Sequence, residues 1–216
     1  RRRNFDADRT ASGISLLAWG LFKKLVIADN VGMIVESIFS TAQPGAALLW
    51  VGVLAFGIQI LADFSGYTDI ARGSARLLGI ELSLNFRHPW LAKSPADFWR
   101  RWHITLSSWL RDYVYIPLGG SRNGRYSNAI TLIVTFVLGG LWHGAAWNFV
   151  LWGLLHAALI LIWRAARKLK FQVPTLLAAL ITFFVISASW LLFREGDLIY
   201  IGDNIFDSIG ELKLAV

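Results

Sequence analysis

Three stretches of the chain are almost purely apolar, and polar segments separate them. Residues 46–62 and 174–193 contain no charged side chain, and residues 126–163 contain no Asp, Glu, Lys or Arg. An α-helix rises 1.5 Å per residue, so about 20 apolar residues cross a hydrocarbon core of about 30 Å. The pattern therefore predicts an all-α, polytopic membrane protein in which these stretches are spans or parts of spans.

An earlier segment, residues 10–31, has a weaker apolar pattern. Three charged residues interrupt it: Lys23, Lys24 and Asp29. We interpret this segment either as the end of a tilted helix or as a helix that other helices shield from lipid. A turn signal at residues 43–45 separates it from the span at 46–62, and we expect that span to end at Asp63.

The distribution of basic residues predicts how the chain crosses the membrane. Between positions 72 and 125 there are nine Lys or Arg and three acids. By the positive-inside rule this region faces the cytoplasm, and so does a second basic cluster: Arg164, Arg167, Lys168 and Lys170. A single helix through the 38 residues of 126–163 would be about 57 Å long, too long for one crossing. The chain must turn back, and the glycines within residues 139–144 make that segment the expected turning point.

Composition agrees with a membrane protein and removes several classes of function. Hydrophobic residues make up 56% of the chain and charged residues 16%, and the mean hydropathy is +0.52. The net charge is +7, but the basic residues lie between apolar runs rather than on one soluble face, which argues against nucleic-acid binding. The absence of cysteine excludes disulfide scaffolds, thiolate zinc sites and cysteine nucleophiles.

A helix is predicted to begin at Ser94, with Ser94 as the N-cap, Pro95 at the first helical position and Asp97 completing a capping box. A rotation of 100° per residue gives this helix one mainly aromatic and apolar face: Trp99, Trp102, His103, Leu106, Trp109, Leu110 and Tyr113. His103 is therefore aimed inward. The alternative is an amphipathic helix on the membrane surface whose histidine is merely packed, with Arg100 and Arg101 contacting lipid headgroups.

His143 lies in the glycine-rich break, with no charged residue nearby in the sequence. Ionisable residues inside a membrane are costly and usually mark function, and irregular backbone there must line protein or a water-filled cavity. We expect His143 to line a cavity and to be neutral, which makes it available as a proton acceptor. A structural histidine that is satisfied by hydrogen bonds is the alternative.

The other polar features have simpler interpretations. We expect His156 to hydrogen-bond to an adjacent helix and His88 to be a loop residue. The acids of residues 63–69 are expected to form ion pairs with Arg72 or Arg76, and residues 115–120 are expected to form a turn. The chain has no phosphate-binding loop, dinucleotide fingerprint, zinc protease motif or serine hydrolase motif.

Five segments taken in order resemble the bacterial membrane-bound O-acyltransferases, and the alginate-acetylating branch in particular. They are DFSGYTDIA (63–71), NFRHP (85–89), FWRRWHITLSSWLRDY (98–113), YIPLGG (115–120) and GLWHG (140–144). The resemblance extends from about residue 63 to residue 152, and the proteins that transfer D-alanine to teichoic acids are more distant. Residues 1–216 are then one membrane-embedded acyltransferase domain, truncated at the N-terminus and in part at the C-terminus.

The resemblance implies a fold of many helices around a central funnel, in a multi-pass protein of the bacterial inner membrane. It implies transfer of an acyl group, most simply acetyl, from a cytoplasmic donor to a hydroxyl of an extracytoplasmic polysaccharide or of a periplasmic acetyl-transfer partner protein. The family's invariant histidine corresponds to His143 and its second important histidine to His103. No bound cofactor or metal is implied; acetyl-CoA or another acyl thioester is the donor substrate.

Two other functions remain open on the sequence alone. The histidines could form a proton or solute path in a transporter or channel. The chain could also be a membrane scaffold for polysaccharide machinery, without catalysis.

Overall fold

A computed structural model describes residues 6–122, 124–169 and 173–204, and within these residues the chain is helical and contains no strand. The principal helices are α1 (Ala7–Leu21), α2 (Asp29–Phe39), α3 (Gly45–Leu77), α4 (Pro95–Trp99), α5 (Ile104–Leu110), α6 (Gly124–His143), α7 (Trp147–Ala166) and α8 (Thr175–Arg194). The all-α prediction is confirmed. The chain divides into two compact units, the first ending at Asn85 and the second beginning at Phe86.

The first unit is built on two long helices. A π-helical segment, Phe22–Ala28, joins α1 to α2, so that Ala7–Phe39 runs as one helix of 33 residues, the same length as α3. Both are long and apolar enough to cross a membrane. They pack closely because glycines face each other: a Cβ added to Gly20 would lie 2.7 Å from the carbonyl oxygen of Gly66.

Helix α3 does not end at Asp63, where we expected the span to end; it continues for more than three further turns to Leu77. Its charged residues are compensated by the neighbouring helix. Lys24 Nζ lies 2.8 Å from a carboxylate oxygen of Asp63, and Lys23 Nζ lies 2.7 Å from one of Asp69. The lysines of residues 10–31 are thus paired with acids of α3, although the apolar window of this helix is only 17% buried.

The expected ion pairs of this segment are confirmed in part. Asp69 also pairs with Arg72, at 3.1 Å, as predicted. Arg76 instead pairs with Glu81, at 3.0 Å. Gly66 lies inside α3 and is needed for the close packing against Gly20.

In the second unit, α6 and α7 form an antiparallel hairpin. A side chain at Gly140 would overlap the carbonyl oxygen of Phe149, and one at Gly153 would overlap that of Phe136. The predicted reversal of the chain is confirmed, but the turn itself lies at residues 144–146. The earlier glycines lie within α6, where Gly140 lets the two helices approach each other.

Helix α8 packs on α7 and completes this group, and both are long and apolar enough to cross a membrane. The side-chain amide of Asn148, near the start of α7, donates a 3.1 Å hydrogen bond to the carbonyl oxygen of Leu192 near the end of α8. Beyond α8, residues 198–204 are helical. Lys170 of the second basic cluster and residues 205–216 lie outside the described residues.

The helix predicted from Ser94 begins as expected but is much shorter. The Ser94 hydroxyl accepts a 3.0 Å hydrogen bond from the backbone N–H of Asp97. The Asp97 carboxylate accepts from the backbone N–H of Lys93 rather than from that of Ser94. Helix α4 ends after five residues at Trp99, and a new helix begins at Ile104.

The hairpin predicts the accessibility of single cysteines, since this chain has none of its own. Arg122 and Lys168 flank the two open ends of the hairpin, and Ala145 lies at its tip. In the intact protein, Arg122→Cys and Lys168→Cys should react with a membrane-impermeant thiol reagent from the same side. Ala145→Cys should not react from that side. Labelling of positions 122 and 168 from opposite sides would contradict the hairpin.

Candidate active site

The chain between α4 and α5 is broken by a left-handed residue at His103. Its φ is 44° and its ψ is 53°, a conformation that residues other than glycine rarely adopt. A continuous helix over residues 95–113 was therefore a wrong prediction. The break keeps Trp102 and His103 buried but leaves Trp109 and Tyr113, expected on the same inward face, 52% and 69% exposed.

His103 is 8% exposed and lies close to His143. The ring of Trp142 stands edge-on to both, with its centroid 5.9 Å from that of His103 and 4.8 Å from that of His143. Burial lowers the pKa of His103 to about 4, and His143 acts in the same direction. The predicted inward orientation of His103 is confirmed, and its imidazole is neutral at physiological pH.

His143 is the last residue of α6 and is half-buried among aromatic rings. Its ring centroid lies 5.6 Å from that of Trp152 and 5.0 Å from that of Phe193. Within the part of the chain that the structure describes, its ring has these aromatic contacts and no hydrogen bond. A half-buried imidazole without a partner still has a ring nitrogen to offer to a ligand.

A cavity of about 470 Å³ lies against His143, as the sequence predicted. Helices α4 to α7 form its wall, which is mostly apolar and aromatic. His103 is not among the residues that line it, so the two histidines lie close together but have different access. Three arginines also line the cavity: Arg100, Arg111 and Arg164.

One end of the cavity is basic and polar. There Arg164 donates a 2.7 Å hydrogen bond to the side-chain oxygen of Asn128. The amide nitrogen of Asn128 donates to the hydroxyl of Tyr115 and, at 3.0 Å, to the carbonyl oxygen of Gly120. Asn128 and His143 are 15 positions apart on α6, which corresponds to about 22 Å of helix. The arginine and the histidine therefore lie near opposite ends of one elongated space.

The sequence did not indicate that these arginines line a cavity. Arg100 was interpreted as a headgroup contact and Arg164 as a determinant of topology. Their positions are 64 apart in the chain, and no local spacing connects them. Only the packing of α4 against α7 brings both to one cavity.

The simpler sequence predictions for His156, His88 and residues 115–120 are confirmed. His156 is completely buried and hydrogen-bonds to Ser189 on the adjacent helix α8, at 3.1 Å. His88 lies in a loop, with φ of 46°. Residues 115–120 leave the helix through a turn in which Gly119 and Gly120 have positive φ.

Comparison with known proteins extends across both units. Residues 4–194 match the model of the membrane-bound O-acyltransferase (MBOAT) family. The chain is 44% identical over 193 residues to the peptidoglycan O-acetyltransferase of Helicobacter pylori, covering 87% of this chain and 37% of that protein. It is 39% identical over 198 residues to a probable alginate O-acetylase of Azotobacter vinelandii, covering 91% of this chain and 40% of that protein.

A more distant relative is the teichoic acid D-alanyltransferase of Bacillus subtilis, 29% identical over 206 residues. That match covers 87% of this chain and 51% of the relative. The chain thus spans about two fifths of the length of the two acetylating relatives and about half of the third.

The left-handed conformation of His103 makes a prediction about stability. Glycine adopts this conformation freely, whereas alanine pays about 1 kcal/mol. We expect His103→Gly to unfold at a higher temperature than His103→Ala, although both remove the imidazole. Ser108, inside α5, provides the control: there the glycine variant should be the less stable one. The same order at both positions, measured by thermal unfolding in detergent, would refute the backbone assignment.

Proposed function

Because the chain belongs to the membrane-bound O-acyltransferase family, we propose that the intact protein transfers an acyl group, most simply acetyl, to a hydroxyl. The donor is an acyl thioester on the cytoplasmic side. The acceptor is an extracytoplasmic polysaccharide or a partner protein that passes the acetyl group to it. The protein acts as a multi-pass protein of the bacterial inner membrane.

The observation that carries this proposal is the state of His143. Its ring borders the cavity and has no hydrogen bond within the described residues. A neutral imidazole in this position can accept the proton of an incoming hydroxyl. The hydroxyl oxygen then bonds to the acyl carbon, the carbon–sulfur bond breaks, and the thiolate leaves and takes up the proton from the imidazolium. The products are an ester and a free thiol.

His103 assists rather than replaces His143 in this scheme. It is more deeply buried and does not border the cavity, but the Trp142 ring touches both imidazoles. This arrangement suits a group that orients the reacting atoms or stabilises the negative charge on the carbonyl oxygen. The left-handed backbone that holds His103 inward is the kind of strained conformation found at functional sites.

The basic end of the cavity suits the carrier of the acyl group. Arg164 lies in the second basic cluster, which the positive-inside rule assigns to the cytoplasm. Guanidinium groups bind phosphates through paired hydrogen bonds, and an apolar cavity accepts a slender uncharged arm. A phosphate-bearing thioester such as acetyl-CoA would place its phosphates near Arg164 and its thioester near His143.

The class of acceptor that we propose is based on the names of the relatives. They are named for peptidoglycan, alginate and teichoic acid. We extend the shared class, a polymer of the cell surface, to this chain. The relatives named for peptidoglycan and for alginate have similar identity to this chain. An assay with each polymer therefore decides which one is the acceptor.

His143→Ala should reduce acetyl transfer by about 10²- to 10⁴-fold, the usual contribution of a general base. The measurement is transfer of labelled acetyl from acetyl-CoA by the intact protein in proteoliposomes. His88→Ala, which changes a loop histidine outside the cavity, should retain activity. Transfer at the wild-type rate by His143→Ala, at equal protein level, would exclude His143 as the base. Solute flux without acetyl turnover would instead support the transporter hypothesis.

Arg164→Gln should raise the KM for acetyl-CoA about tenfold and change kcat little, because a charge-assisted hydrogen bond to phosphate is lost. Arg125→Gln is the matched control: it removes the same charge from an exposed position of α6 that does not border the cavity. If both variants raise the KM equally, Arg164 contributes only to the overall field of the basic surface.

A further inference from the structure

A chain of hydrogen bonds behind the cavity wall joins α4, α7 and α8. The indole N–H of Trp99 donates to Nδ1 of His156, at 3.2 Å. Nε2 of His156 lies 3.1 Å from the hydroxyl of Ser189, and that hydroxyl donates to the carbonyl oxygen of Ile186, at 2.6 Å. His156 is 0% and Ser189 1% exposed, so these bonds are shielded from water.

The direction of every bond in this chain follows from its first member. An indole nitrogen can only donate, so Nδ1 of His156 must carry a lone pair rather than a proton. The ring proton therefore lies on Nε2 and is donated to Ser189, whose own hydrogen is already given to Ile186. His156 has neither a free lone pair nor a free proton, and it cannot act as an acid or base without breaking this chain.

Trp99 is the member of the chain that borders the cavity. It is the last residue of α4, a helix of five residues whose own turns can do little to fix it. Its ring contacts Trp152 at a centroid distance of 5.7 Å, and Trp152 contacts His143 at 5.6 Å. The bond to His156 thus fixes an aromatic surface one ring away from the candidate base.

We propose that His156 is a positioning residue for acyl transfer. By holding the Trp99 indole in one orientation, it sets the shape of the cavity wall against which the acyl thioester lies as it meets His143. The inference rests on the proposed function. Small displacements of a reacting group are costly to rate, so the effect belongs to kcat more than to the KM for the donor.

Two variants separate the bonds of His156. His156→Leu removes both, whereas His156→Asn places an amide oxygen close to the position of Nδ1 and can still accept from Trp99. Trp99→Phe removes the donor but keeps an aromatic ring. We expect Trp99→Phe and His156→Leu each to lower kcat about tenfold, and His156→Asn to stay within about threefold of wild type.

The decisive measurement is the double variant. If His156 acts through Trp99, Trp99→Phe combined with His156→Leu should be no slower than the slower single variant. The pH profile of kcat should be the same in all of them, because His156 exchanges no proton in the reaction. Trp109→Phe, at a tryptophan that is 52% exposed, should keep the wild-type kcat.

Several results would overturn the proposal. These are multiplied losses in the double variant, equal impairment of the Asn and Leu variants, or a shifted pH profile. Should His156→Leu fail to fold, the comparison of Trp99→Phe with His156→Asn still decides, since equal and large losses in both contradict it. Absence of acetyl transfer by the wild type would contradict the proposed function instead, and the Trp99 bond would still be measurable from the indole N–H signal by nuclear magnetic resonance.

Discussion

The close approach of α6 and α7 is the constraint on which the second unit depends. At Gly140 and Gly153 the helices are so near that any side chain would meet the partner's backbone carbonyl. Lipid tails are as apolar as the helix surfaces, so the hydrophobic effect does not drive helices together inside a membrane. Close packing at small residues is a main source of their association free energy instead. The consequence reaches both ends of the hairpin: His143 comes to lie against Trp152, and Arg164 comes within reach of Asn128. The two ends of the cavity are set by one contact surface.

The second constraint is the interruption of the helix after Trp99. Had residues 95–113 formed one regular helix, the side chains of His103 and Trp109 would have shared a face, and no bend would have brought His103 beside Trp142. A left-handed residue costs about 1 kcal/mol, and the buried aromatic contacts around it are large enough to offset that cost. The packing that brings the two histidines together therefore also offsets the backbone strain at His103.

Much of this architecture was predictable where the signal is local. Apolar run length gave the helical membrane class, Ser94 marked a helix start, and a 38-residue run too long for one crossing required a reversal. The predictions that were wrong or missing concern residues whose contacts are with residues distant in the sequence. The charge at Asp63 does not end α3, because Lys24 neutralises it from another helix. Likewise, Arg100 and Arg164 meet at one cavity only through tertiary packing, and the αL conformation of His103 has no signature in its neighbours.

Hydrogen-bond accounting separates histidines that sequence context alone treats alike. His143 and His156 both lie in apolar surroundings 13 positions apart, and both were open to a structural interpretation. In the structure both ring nitrogens of His156 form hydrogen bonds to other side chains. His143 has contacts with aromatic rings and no hydrogen bond within the described chain. His143 is only half-buried and borders the cavity, so a ligand that enters the cavity can supply the hydrogen bond that the protein does not. We therefore propose that His143, which has no hydrogen-bond partner within the described chain, is the group that changes protonation in acyl transfer, and that His156 supports the cavity wall beside it.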